Sequence, residues 1–127
     1  MAKPKISSYE RQVADILFKE NIRYTKEKTF NDLRGGKYRY DFYLHLPTPI
    51  IIEVDGQYHF NPIRGTGALK AQKEHDRRKN SYCLAHNIKL YRIPYWDMKE
   101  IKSLADMTKD KYLVKTKWHS DFLKPPH

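Results

Sequence analysis

Tyr38-Arg39-Tyr40-Asp41-Phe42-Tyr43-Leu44 and, after the turn Pro47-Thr48-Pro49, Ile50-Ile51-Ile52-Glu53-Val54-Asp55-Gly56-Gln57-Tyr58-His59 decide the fold. In the first run Tyr40, Phe42 and Leu44 alternate with Arg39, Asp41 and Tyr43. That period of two marks a half-buried strand, whose successive side chains point to opposite faces. The second run is so apolar that it belongs in a sheet interior, with its acids at the far end. An antiparallel hairpin is the economical pairing. A slip of one residue would turn every side chain to the wrong face, so the register is fixed by setting Phe42 opposite Ile52 and Leu44 opposite Ile50. This places Asp41 directly across from Glu53. Opposed residues have Cβ atoms about 5 Å apart, and two carboxylates at that distance repel unless something positive lies between them. A divalent cation is the natural occupant. Asp55 shares the face of Glu53, and either adds a ligand or forms a turn with Gly56.

Working outward, Ser7-Ser8-Tyr9-Glu10 reads as a capping box opening a helix over about residues 8–20, with Val13, Ile16 and Leu17 on its apolar face and Asn21 at its end. A strand over 22–30 and the turn-forming run Asn31-Asp32-Leu33-Arg34-Gly35-Gly36 lead into the hairpin. Beyond it, residues 56–67 read as a loop. A long helix is expected over about 68–86, apolar at its ends, almost entirely polar in its middle and closed by Asn87. Ile88-Lys89-Leu90-Tyr91-Arg92-Ile93 alternates again as a strand, stopped by Pro94. A short helix around 97–107 and a basic, aromatic-bearing tail over 109–127 complete the chain.

Composition sets bounds on function. The 127 residues fit one domain, spanning 1–127 without a linker or repeat. Hydrophobic residues at 39% suffice for a core and argue against disorder. A mean hydropathy of −0.86 and the lack of a long apolar run or secretory leader predict no membrane association and a cytoplasmic address. The single Cys83 forms no internal disulfide or CxxC site and reads as a small buried residue. With 25 Lys+Arg against 15 Asp+Glu, the net charge of +10 attracts polyanions, among which nucleic acid is the commonest partner.

Taken together, Asp41, Glu53-Val54-Asp55-Gly56-Gln57-Tyr58-His59, the basic helix with Asp76 and the strand Ile88–Pro94 resemble the PD-(D/E)xK or restriction-endonuclease-like superfamily. Within it the likeness is to very short patch repair endonucleases and related phage and homing nucleases. It covers residues 8–96 and leaves the tail unmatched. The resemblance implies an α/β fold with a central mixed four-stranded sheet flanked by helices, and a catalytic set at Glu10, Asp41, Glu53, His59 and Asp76. Asp55 stands where the superfamily usually has a lysine, so the resemblance gives the proton work to His59. It implies Mg²⁺, with Mn²⁺ as a substitute, held by Asp41, Glu53 and Asp55. Oxygen ligands suit that ion, and an imidazole titrates near physiological pH.

Plainer readings stand beside these. Asp41 is either a metal ligand or a strand acid paired with Arg39 or Arg92, and Glu53 is a metal ligand or half of a buried ion pair. Glu10 is explained by capping alone and His59 by its loop. Asp76 either orients the imidazole or lies on a solvated face beside Lys73, Arg77 and Lys79. Arg64, Lys70, Lys73, Arg77, Arg78 and Lys79 are candidates for holding DNA phosphates, with solubility as their alternative. Tyr58, Trp96 and Trp118 either wedge between bases or belong to the core.

The expected activity is a metal-dependent endonuclease on double-stranded DNA, nicking one strand or cutting both. The alternatives are a junction- or flap-selective nuclease and a catalytically silent nucleic-acid-binding module. Specificity is expected from the loops and tail or from a partner protein, while cutting of both strands implies a homodimer. Repair, host-DNA degradation, intron mobility and phage DNA processing all use such a domain, and a chain this compact suits a phage or mobile element.

Overall fold

A computed structural model describes residues 8–126. Helix α1 (Ser8–Lys19) opens the chain; Ser7 of the expected capping box lies outside the described residues. Val13, Ile16 and Leu17 recur on one face of α1 and are buried there. Asn21 ends it in the left-handed conformation, with φ of 58°, and Ile22 N–H donates to the Leu17 carbonyl. The second long helix, α2 (Thr66–Ala85), ends the same way: Asn87 has φ of 55° and Ile88 N–H donates to the Cys83 carbonyl. An Asn-Ile pair stops each helix and turns the chain into a strand, because asparagine tolerates this backbone region better than most residues.

The four strands β1 (Tyr24–Lys28), β2 (Tyr40–Leu44), β3 (Ile50–Asp55) and β4 (Lys89–Pro94) form one sheet in the order β1-β2-β3-β4. The first three are antiparallel neighbours, and α2 crosses over to bring β4 parallel to β3. The hairpin register is the one its faces require, Phe42 opposite Ile52 and Leu44 opposite Ile50. The architecture is therefore α/β, a mixed four-stranded sheet flanked by helices. Cys83 is buried.

α1 covers one face of the sheet through a core that includes Leu17, Phe42, Leu44, Ile52 and Ile93. Gln12 Nε2 fastens it to the following segment through the carbonyls of Met98 (2.7 Å) and Ile101 (2.9 Å). α2 covers the other face, where a smaller cluster joins Leu33, Tyr40, Ile51, Cys83, Leu90 and Val114. The residues α2 buries are Asp76, Lys79, Asn80 and Cys83. Their spacing is that of a core stripe, but three of the four are polar.

Several boundaries differ from the sequence expectation. β1 is shorter than residues 22–30, because Ile22 is used in the helix stop and Phe30 leaves the strand to pack edge-on against Tyr40 at 5.7 Å. The segment 56–67 is not all loop: Gln57–His59 forms a 3-10 turn. α2 begins at Thr66, two residues earlier than expected. The helix expected over 97–107 is two pieces, a 3-10 turn at Tyr95–Glu100 and the single turn α3 (Leu104–Met107), whose Ser103 cap accepts from Asp106 N–H. The tail folds back onto the body. Val114 N–H donates to the Leu90 carbonyl at 2.8 Å and Leu113 bridges Tyr91, while Asn80 and Lys73 of α2 donate to the carbonyls of Lys117 and Ser120.

Candidate functional site

The site begins where the β2–β3 ladder stops. One step past the Phe42–Ile52 pair, side chains replace the main-chain bonds: Asp41 N–H donates to Glu53 Oε1 at 2.6 Å, and Val54 N–H donates to Asp41 Oδ2 at 2.9 Å. Each carboxylate thus grips the backbone of the opposite strand. Asp41 pairs with neither Arg39 nor Arg92 among the described residues. Burial, reinforced by repulsion from Glu53, pushes its carboxyl up to about 8.

Lys79 enters from α2. Its Nζ donates to Glu53 Oε2 at 3.0 Å and to the Arg39 carbonyl at 2.5 Å. Only 10% of its side chain is exposed, so this lysine lies among the acids rather than on the outer surface where phosphates would meet it. The Tyr40 hydroxyl donates to the Lys79 carbonyl at 2.9 Å and fixes that turn of α2 against the sheet.

Arg92 faces the same side from β4, in register with Glu53, and is fully buried. Its Nη1 lies 2.7 Å from Asp55 Oδ1, 3.6 Å from Asp76 Oδ1 and 3.9 Å from Glu53 Oε2, while Nε donates to Asn80 Oδ1 at 2.7 Å. A buried cation is tolerable only when surrounded in this way, because an unpaired charge away from water costs several kcal/mol. Asp55 is accordingly the counter-ion of Arg92 at the end of β3. The sequence suggests Arg92 only as a partner for Asp41, not for Asp55 and Asp76, and gives no sign that Lys79 points inward.

The third part is a histidine–aspartate pair. The turn Gln57–His59 sets His59 Nδ1 at 3.1 and 3.0 Å from the two oxygens of Asp76, and 3.6 Å from Asp55 Oδ1. Gln72 Nε2 donates to Asp76 Oδ1 at 3.1 Å. Asp76 is buried, not solvated, and makes no ion pair with Lys73, Arg77 or Lys79 among the described residues. Burial opposes its charge, but Arg92 and His59 outweigh this and hold its carboxyl at about 2. Burial also pulls the His59 imidazole down, yet the negative charges of Asp55 and Asp76 leave it above its ordinary value. With Nδ1 committed to Asp76, Nε2 is the nitrogen left for exchange with a ligand.

Glu10 lies in the first turn of α1, paired with Lys26 Nζ at 3.0 Å, and its charge adds to the repulsion felt at Asp41. Of the phosphate-contact candidates, Lys73 donates to the Ser120 carbonyl at 2.9 Å and Arg77 forms a two-pronged pair with Asp121 at 2.9 and 3.0 Å. Arg78 binds Glu74 at 2.9 Å. Arg64 lies over the Tyr58 ring at 4.1 Å, and Lys70 is exposed. Tyr58 and Trp118 are also exposed, whereas Trp96 packs on Phe60 at 4.7 Å between ring centroids.

No group of three or more His, Cys, Asp or Glu side chains is arranged to hold a metal ion among the described residues. Asp41 and Glu53 still supply two hard oxygen donors where like charges crowd, and Mg²⁺ commonly takes one or two carboxylates and completes its shell with water and phosphate oxygens. The chemistry of those two acids would suit such an ion, whereas Asp55 is engaged by Arg92 at 2.7 Å. No described helix is long and apolar enough to cross a membrane. No family model, no curated protein and no solved structure matches the chain.

Proposed function

We propose that this protein is a Mg²⁺-dependent DNA endonuclease of restriction-endonuclease-like type. The observation that carries the reading is the pairing of Asp41 with Glu53 at the frayed end of the hairpin, with Lys79 on Glu53 and a histidine oriented by Asp76 alongside. Asp41 and Glu53 would hold the cation. The chemistry it supplies when bound is neutralisation of the scissile phosphate and acidification of a water. Lys79 balances the charge of Glu53 and so eases ionisation of Asp41, whose carboxyl stands at about 8 before a cation binds. His59 moves the proton: Nδ1–H stays on Asp76, and Nε2 takes a proton from the attacking water or returns one to the leaving oxygen. Arg92 helps keep Asp76 ionised and pairs with Asp55, and thereby fixes the orientation of the imidazole.

Nicking and linearisation of supercoiled plasmid tests this, run with Mg²⁺, Mn²⁺ and EDTA for wild type, Asp41→Ala and His59→Ala. Metal-dependent cutting that disappears in Asp41→Ala, and falls by about 10²–10⁴ in His59→Ala, is the expected result. DNA binding without cutting, even with Mn²⁺ and branched substrates, would replace the nuclease with a binding module. Cutting of branched DNA far faster than linear DNA would favour a junction or flap nuclease.

A further inference from the structure

A protein that docks on DNA phosphates needs cations not already committed to its own acids, since affinity comes from exchanging condensed counterions for protein charge. Four of the five lysines and arginines of α2 fail that requirement, the exception being the exposed Lys70 near its start. Lys79 is on Glu53, Arg78 on Glu74 and Arg77 on Asp121, while Lys73 is engaged with the tail. The turn before β2 meets it. Arg34 and Lys37 are exposed and form no ion pair among the described residues, and Arg39 has only a loose 3.9 Å contact with Glu27, both side chains being more than half exposed.

With Tyr38, Gln72, His75 and Lys79, these three cations line a cleft of about 480 Å³ that contains no acidic side chain. A larger groove of about 610 Å³ beside it includes Asp32 and Glu74 in its lining and is poorer ground for a polyanion. Lys79 is shared between the cleft and the acid pair, and its bond to the Arg39 carbonyl ties the turn to Glu53. Gly36 N–H donates to the Leu33 carbonyl at 3.0 Å and Lys37 N–H to the Arg34 carbonyl at 3.2 Å, with Arg34, Gly35 and Gly36 at φ of 52°, 62° and 81°. The left-handed arginine costs about 1–2 kcal/mol, the kind of local strain that collects at functional sites.

We infer that the turn over residues 34–39 is the docking surface for the DNA backbone, Arg34, Lys37 and Arg39 engaging phosphates that flank the one presented to Asp41 and Glu53. This rests on the nuclease reading and adds to it where the strand runs. Tyr38 and His75 pack against each other at a tilt, ring centroids 4.9 Å apart, and Gln72 is spent on Asp76, so what the cleft chiefly offers is positive charge. It contributes affinity and register without sequence information.

The test is equilibrium binding of a fluorescent DNA duplex in EDTA between 50 and 200 mM salt, so that cleavage plays no part. Arg34→Gln/Lys37→Gln/Arg39→Gln is compared with Arg77→Gln/Arg78→Gln, and Mg²⁺-dependent cleavage is measured in parallel. Each lost phosphate contact lowers the slope of log affinity against log salt by about 0.9, so the triple variant should lose close to 3 and the double variant almost nothing. The single variants Arg34→Gln and Lys37→Gln, each losing about 0.9, guard against a folding defect in the triple. Wild-type binding with an unchanged slope in all these turn variants overturns the inference and leaves the nuclease reading standing. Wild-type protein that neither binds nor cuts DNA overturns both.

Discussion

Under α1 the sheet buries Val13, Leu17, Phe42, Leu44, Ile52 and Ile93; under α2 the same strands bury Glu53, Asp55 and Arg92 against Asp76, Lys79 and Asn80. Strand alternation deals hydrocarbon to one side, and to the other a smaller apolar cluster with Ile51 and Leu90 beside the charges. The first face gains free energy in proportion to the apolar area removed from water. On the second, attraction between charges must offset the cost of dehydrating them, and the balance holds only while every partner is present. The first face is held mainly by apolar burial, and the charged part of the second holds reactive groups in place with little tolerance for loss of any one of them.

The sharpest way to break that contrast is Arg92→Leu. It leaves Asp55 and Asp76 buried without their cation, and should cost about 3–5 kcal/mol in urea denaturation. A cost below about 1 kcal/mol would mean that the acids are neutral or hydrated and that the face is not held by ion pairing. On the dry face, Leu17→Ala should lose about 2–5 kcal/mol, while plasmid cleavage per folded molecule stays at the wild-type rate. A rate that fell with it would dissolve the division of labour.

Asp76→Asn probes the charged face more gently. It should slow cleavage by about 10–100-fold. Because it removes a charge that raises the His59 pKa, the rising limb of the pH–rate profile should also move to lower pH. Asp41→Asn tests stability against acidity. The folded carboxyl is raised to about 8 from an ordinary 3.8, so its favourable contribution is complete below about 4 and is lost as pH rises through 8. Metal-free wild type should therefore melt lower at pH 9 than the Asn variant by a few degrees, and the gap should narrow steadily as pH falls toward 4.

The sequence was a good guide to the hairpin, since Phe42, Leu44, Ile50 and Ile52 admit one register and that register brings Asp41 to Glu53. It was a poor guide to α2. Gln72, Asp76, Lys79, Asn80 and Cys83 recur at core spacing, but a hydrophobicity pattern is blind to a buried stripe made of amides and charges. The signal was present in another form: Arg92 stands in an alternating strand between Tyr91 and Ile93, where a cation is untenable without acids facing it. The tail was illegible for a different reason. It docks largely through the carbonyls of Lys117 and Ser120 and the N–H of Val114, which every residue possesses and no side-chain pattern announces.

The docked tail also answers a problem of colloidal behaviour. An open sheet has two edge strands whose unpaired main-chain groups can template pairing with another copy. On β1 the deterrent is Lys26 and Lys28 around a left-handed Glu27, which make that edge charged and irregular. On β4 it is the tail, with Leu113 and Val114 occupying positions a foreign strand would take. Proteolytic clipping after Met107 would uncover one edge while leaving the other guarded, so self-association of the clipped protein would be directional: two molecules joined through β4, with growth beyond the pair blocked at β1.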